Sequence, residues 1–228
     1  GKPKTEGVRI VGTNEAKTTL ICLRLRGEKF DKFFCRKPLL SAGIDMSHLN
    51  TLLKTADKDD SITFTMYSKN EDKLEIMIEN PEKGCVTDYR INLSNYRPQT
   101  LPSQSIDYDI EVNMPASEFH KICREMSTIA EFVEIKCTNN KVIMSCEGDL
   151  TERTTSFEET ATKGSGGISI RKVAEEDNEE VFFQGVYELK DIVQFNKCAN
   201  LSTNISLYTK NDFPLMIKYK VAELGDLL

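Results

Sequence analysis

The groups able to do covalent or metal chemistry are few in kind and widely scattered. Two histidines, seven cysteines and thirty-six Asp and Glu residues make up that stock in a chain of 228 residues. Hydrolytic or phosphoryl chemistry would need some of them at fixed spacing, and no HExxH, GxSxG or GxxxxGK-Ser/Thr pattern occurs. The segment "KGSGGIS" is glycine-rich but lacks the Lys-Ser/Thr pair of a phosphate cradle, so it reads as a loop. His48 and His120 fall on the outer faces of predicted helices, where surface positions are expected. Cys22, Cys35, Cys85, Cys123, Cys137, Cys146 and Cys198 form no CxxC pair, and Cys and His together give no zinc spacing. An odd number of dispersed cysteines fits a reducing compartment, and the sequons at Asn92, Asn200 and Asn204 are read as unused. The expectation is a protein that is not an enzyme, with no metal and no cofactor.

A different chemistry is written in the cations. In "MPASEFHKICREMS", residues 114–127, Phe119, Ile122, Cys123 and Met126 follow the helical i, i+3, i+4, i+7 rule. Lys121, Arg124 and Thr128 take the opposite side, with Glu118 and Glu125 on a flank. Pro115 is expected to open this helix, and Ser117 or the preceding turn to cap it. A helix around 47–56 would bury Leu49, Leu52, Leu53 and Ala56 and turn Lys54 outward beside Ser47 and Thr51. A helix around 188–199 would bury Leu189, Ile192 and Phe195, leaving Lys190 and Lys197 outside with Gln194. Lysines on the wet face of one amphipathic helix are ordinary. Three related helices sharing such a face, in a chain of net charge -6, are not. Side by side they would sum to a surface that attracts phosphates without reading bases.

The elements that must position these cations are short alternating strands broken by the three helices. "SITFTMY", "DKLEIMIEN", "VEIKCTN", "KVIMSCEG" and "LMIKYKV" all carry apolar residues at a period near two. The chain also repeats itself. The segment from Gly43 overlays that from Gly185, pairing Lys54 with Lys197, Ala56 with Ala199 and Ile62 with Ile205, each reading as strand, helix and hairpin. "GVRIVGTNEAKTTL" and "KVIMSCEGDLTERTTSF" match more weakly, each as a hairpin. The fold class is therefore α+β with two similar domains. The first covers residues 1–100, including the start of a Pro-containing linker, "SNYRPQTLPSQSIDYD", whose remainder is 101–108. The second covers 109–228. "YDIEVNMPASEFHKICREMS" opens the second domain, and an equivalent opening of about 30 to 35 residues is expected before Gly1. A further strand is expected after "KVAELGDLL". Residues 160–180, rich in Gly and acids, read as a long loop. No apolar run reaches the ~20 residues of a membrane helix, and no signal peptide is visible.

These residues carry a resemblance. "MPASEFHKICREMS", "FPLMIKYKVAELGDL", "VTDYRINL" and "LRGEKFDKFFCRKPLLSAGIDMSHLNTLLKTADKDDSITF" resemble DNA sliding clamps of the proliferating cell nuclear antigen family over nearly the whole chain. The resemblance implies a ring of three subunits, with sheets outside and helices lining a hole for duplex DNA. By matching position it assigns DNA contact to Lys54, Lys121, Arg124, Lys190 and Lys197. Thr128 stands where a further basic residue often sits, and Asn113 replaces another. It implies a pocket for short partner motifs with a 3₁₀ turn and aromatic anchors, at Thr13, Lys17, Thr18, Leu20, Leu101, Ser103, Tyr108 and Pro214. Thr13 and Ser103 depart from the family's usual apolar residues there. It implies subunit contact through Tyr89, Ile91 and Leu93 on one edge strand and Phe157 on another, around 155–160. The implied partners are double-stranded DNA, DNA polymerase, a clamp loader, ligase, nuclease and the chain itself as a homotrimer, with no membrane. The implied location is the nucleus or a viral replication site. The same fold also admits a heterotrimeric checkpoint clamp subunit or a monomeric viral polymerase accessory factor.

Overall fold

A computed structural model of the chain describes residues 7–14, 16, 18–94, 107–138, 140–160, 167–172 and 183–228, without the side chains of 196, 197 and 199. The chain divides into two compact units, one of Gly1–Phe34 with Ser105–Leu228 and one of Cys35–Gln104.

The larger unit is built from strands whose alternation is clean. In β6 (Ile110–Pro115), Ile110, Val112 and Met114 are buried between Glu111 and Asn113. Val133, Ile135 and Cys137 do the same in β7 (Phe132–Cys137), and Val142, Met144 and Cys146 in β8 (Lys141–Glu147). Strands β7 and β8 join β9 (Glu152–Glu158) and β11 (Phe183–Glu188) in a four-stranded antiparallel sheet, ordered β11-β7-β8-β9. The second sheet has seven strands. It comprises β1 (Gly7–Thr13), β2 (Leu20–Arg26), β6, β10 (Ser169–Lys172), β12 (Asn204–Thr209), β13 (Met216–Val221) and β14 (Gly225–Leu227). Its order is β1-β2-β14-β13-β12-β6-β10. Helix α2 (Ala116–Met126) and helix α3 (Leu189–Gln194) pack on each other and on the core that both sheets supply. Each apolar side chain fully withdrawn here contributes about 1.5–3 kcal/mol relative to exposure.

In the smaller unit, α1 (Met46–Leu53) covers a three-stranded sheet of β3 (Ser61–Tyr67), β4 (Asn70–Asn80) and β5 (Cys85–Asn92). Leu49 meets Leu74, Ile76, Ile78 and Ile91 in its core. The repeat is visible in the elements: α1 then β3–β4, and α3 then β12–β13, each end in an antiparallel pair. Its two copies are covered differently. Ile205 is 1% exposed on β12, which lies between β6 and β13, whereas Ile62 is 40% exposed on β3, which pairs with β4 alone among the described residues.

Several local expectations change. The β1–β2 hairpin, read within the first domain, hydrogen-bonds into the larger unit through Leu23, Arg24 and Leu25 opposite Leu227, Asp226 and Gly225. Cys22 and Leu228 exchange both backbone bonds at 2.9 Å. Ser117 does not cap α2; Pro115 holds the cap position without a side-chain bond, and the Ala116 N–H donates to the Thr203 carbonyl. Helix α3 ends at Gln194 and continues as a 3₁₀ turn over Phe195–Leu201, leaving Phe195 half-buried. No helix among the described residues is long and apolar enough to cross a membrane.

Candidate nucleic-acid interface and partner pocket

Helix α2 sorts its side chains by face. Ala116, Phe119, Ile122, Cys123 and Met126 are buried, while Lys121 and Arg124 are exposed. The acids of the same helix do not cancel them. Glu125 is drawn sideways to Arg153 of β9 at 2.7 Å, and Glu118 stands in the first turn, where the helix dipole favours an anion. Arg124 sits in the last turn, where the dipole favours a cation. Among the described residues neither Lys121 nor Arg124 enters an ion pair. Thr128, just past the helix, is exposed and donates its hydroxyl to the Glu125 carbonyl at 2.7 Å.

His120 contradicts its surface expectation. It is 3% exposed, and its Nε2 lies 2.7 Å from Tyr219 Oη on β13. Burial first, and the Arg124 charge second, hold its pKa below the ordinary value. Its Nδ1 has no hydrogen-bond partner among the described residues. The imidazole therefore ties the cation-bearing helix to the sheet behind it as a neutral group. His48 is exposed, as read.

On α3, Leu189 and Ile192 are buried and Lys190 is exposed, outside any ion pair among the described residues. Lys121, Arg124 and Lys190 thus stand on two helices packed together in one unit. The side chain of Lys197 lies outside the described residues. In the other unit, Lys54 is the exposed C-cap of α1, whose N-cap Asp45 accepts the His48 N–H at 2.8 Å. Asn113 turns out to be engaged within its sheet, accepting the Ser206 hydroxyl at 2.5 Å.

The expected pocket residues form two groups. Thr13 and Leu20 are the last register pair of the β1–β2 hairpin, and both are exposed, with Thr18 in the turn between them. Tyr108 and Pro214 meet directly, the Tyr108 hydroxyl lying 3.5 Å from the Pro214 carbonyl. Burial raises the Tyr108 pKa, and its ring lies tilted at 53° against that of Tyr208, with 5.9 Å between ring centres. No hydrogen bond or ring contact joins the two groups among the described residues. Lys17, Leu101 and Ser103 lie outside the described residues. Two neighbours escaped the sequence reading. Phe213 is 42% exposed beside Pro214 with the Lys210 ammonium 5.4 Å from its ring centre, and Asp191 bonds the hairpin turn. The aromatic next to Pro214 was a readable signal; the partner of Asp191, about 170 residues away in sequence, was not.

The expected subunit contacts fall on or just beyond β5 and on β9, strands that end their sheets among the described residues. Their named side chains face inward, however. Ile91 is buried, Tyr89 and Leu93 pack against the small core, Tyr89 Oη lies 3.1 Å from Thr55 Oγ1, and Phe157 packs on the large core. What these edges offer outward is backbone together with exposed Asp88, Arg90 and Asn92, or Glu152, Thr154, Ser156 and Glu158.

Known proteins resemble the chain in both halves. A family model described as the C-terminal domain of proliferating cell nuclear antigen matches residues 103–228, and its N-terminal counterpart matches 2–98. A probable DNA polymerase sliding clamp of Acanthamoeba polyphaga mimivirus is 29% identical over 99% of this chain. The chain spans about half of that relative, 47% of its length. A proliferating cell nuclear antigen of Dictyostelium discoideum is 28% identical over 97% of this chain and 84% of its own length.

Proposed function

The chain belongs to the proliferating cell nuclear antigen family, with that family's two-domain α+β fold, and from that premise we propose that it is a DNA polymerase processivity factor, a sliding clamp. The observation that carries the reading is the outer face of α2. Lys121 and Arg124 are exposed and uncancelled because Glu125 turns to Arg153, and Lys190 stands on the helix packed beside them. Cations so arranged meet phosphates at any sequence, which is what sliding requires. Lys54 and Lys197 complete the set by position in the repeat. The clamp encircles duplex DNA as a homotrimer closed by backbone pairing between β5 and β9, and it needs no catalytic group or cofactor of its own. The division into 1–100, a linker to 108, and 109–228 is the repeat-based description of each subunit.

Polymerase, clamp loader, ligase and nuclease would dock through short motifs whose aromatic anchors enter the site of Thr13, Lys17, Thr18, Leu20, Leu101, Ser103, Tyr108 and Pro214. Buried anchors supply most of the affinity in such interfaces. The reading places the protein in the nucleus or at a viral replication site, the settings of a eukaryotic and a viral relative. The test is retention on nicked circular DNA after loader-assisted assembly. Lys121→Ala with Arg124→Ala should shorten retention and, with six cations removed per ring of three subunits, reduce the slope of log affinity against log salt by up to about 5, with the melting temperature unchanged. Undiminished retention would remove these residues from the channel.

A further inference from the structure

The end of the β1–β2 hairpin is shaped by side chains. Asn14 Oδ1 accepts the N–H groups of Thr18 and Thr19 at 2.9 and 3.1 Å, and Asn14 Nδ2 donates to Thr18 Oγ1 at 2.7 Å. These bonds fold the turn without fixing it to the body of the protein. The fixing comes from α3. Asp191 Oδ2 accepts the Thr19 hydroxyl at 2.6 Å, the Thr18 hydroxyl at 3.3 Å and the Asn14 amide at 3.4 Å. A carboxylate receiving three donors makes charge-assisted bonds, stronger than neutral ones. Thr13 and Leu20 flank this turn on either side as the closing register pair. Leu20 is 48% exposed, so few packing contacts hold it; its place is set by the backbone beneath it.

We propose that Asp191 is a positioning residue for partner binding, pinning the turn and with it the Thr13–Leu20 end of the pocket against α3. The inference rests on the pocket reading above. It gives α3 two adjacent tasks: Lys190 points to solvent toward phosphate, and the next residue anchors the peptide site. A pinned rim is ordered before the peptide arrives, so binding does not bear the cost of ordering it.

The probe is a fluorescein-labelled peptide with one apolar residue and two adjacent aromatic residues in a 3₁₀ turn, titrated against the full chain by anisotropy. Asp191→Ala and Thr19→Val should each weaken binding about 3- to 10-fold, the range for ordering one or two side chains, chiefly through faster dissociation. The double variant should bind no worse than Asp191→Ala alone, because that substitution already removes the Thr19 bond together with those to Thr18 and Asn14. Asp191→Asn keeps an acceptor oxygen and should recover most of the affinity. A purely structural role would lower the melting temperature of Asp191→Ala and leave its peptide affinity unchanged, and that result overturns the proposal. So do additive losses in the double variant. Leu20→Asp separates the two readings. If it abolishes binding while Asp191→Ala does not weaken it, the pocket stands and the positioning role falls. If the wild-type chain does not hold the peptide, both fall.

Discussion

At position 120 the helix that presents cations to solvent buries an imidazole. Helical spacing placed Phe119, Ile122, Cys123 and Met126 inside, and they are. It could not give the width of the buried arc, which widens to include Ala116, bonded to Thr203, and His120, which faces Tyr219 of β13. The folded state holds His120 neutral, with its pKa below the unfolded value, chiefly through burial and then through Arg124. A depressed histidine contributes stability that is present above about pH 6.5 and is lost as pH falls through that value toward the folded pKa. In wild type the urea midpoint should therefore drop between about pH 7.5 and 5.5, with a slope from this group of up to about 1.4 kcal/mol per pH unit. His120→Gln should flatten that segment; an equal slope in the variant would assign the loss to other groups. Tyr219→Phe, which strips the imidazole of its bond, should cost about 1–3 kcal/mol at pH 7.5. The thiols obey the same logic. Cys35 and Cys85 are exposed, while burial pushes Cys123 and Cys137 up to about 12. Alkylation followed by mass spectrometry should label the first two rapidly and the second two only on unfolding.

Elements were legible where a period ran uninterrupted. The strands "VEIKCTN", "KVIMSCEG" and "DKLEIMIEN" needed only alternation, and β7, β8 and β4 follow them within two residues. Pairing across the sheet was not legible. Nothing in "GVRIVGTNEAKTTL" or the strand it leads into says that β2 bonds to the segment Gly225–Leu228, because that register is set by a neighbour some 200 positions away, and strand patterns specify faces, not partners. The repeat argued for a hairpin but was silent on which sheet would take it. The junction leaves one checkable mark. A Cβ at Gly225 would overlap the Arg24 carbonyl oxygen, since β14 and β2 approach backbone to backbone there. Gly225→Ala should cost about 1–3 kcal/mol, the usual range for overpacking. It should also speed hydrogen exchange at the Cys22 and Leu228 amides before those of β7 and β8. Equal protection of all four would mean that the strands are not paired as described. The candidate site divides the same way. Cations on helix faces could be read from spacing, whereas the Asp191 anchor depends on tertiary approach.

For the molecule as a whole, two kinds of contact carry the clamp reading, and they answer differently to salt. Phosphate contact through Lys121, Arg124 and Lys190 is a surface electrostatic effect and weakens as counterions compete. In the proposed ring, closure between β5 and β9 would rest on backbone hydrogen bonds at two edges that are unlike each other, so the contact would be head-to-tail and would either close into a ring or run on as a filament. The outward side chains at these edges are mixed in sign, Asp88 and Arg90 on one and Glu152 and Glu158 on the other. Two are already paired within the chain, Arg90 to Glu75 and Glu158 to Lys141. Exposed pairs of this kind contribute little, so assembly should not depend on them. Sedimentation equilibrium should give three times the 25.9 kDa chain mass, unchanged between about 0.1 and 0.5 M salt, over the range in which retention on linear DNA with free ends collapses. A mass that grows with concentration would mean that the edges pair without closing. A single-chain mass would favour the accessory-factor or heterotrimer alternatives, because β5 and β9 would then be edges kept apart or reserved for another chain. A trimer that dissociates in step with DNA release would show that one set of charges serves both contacts, and the separation of channel from interface would fail.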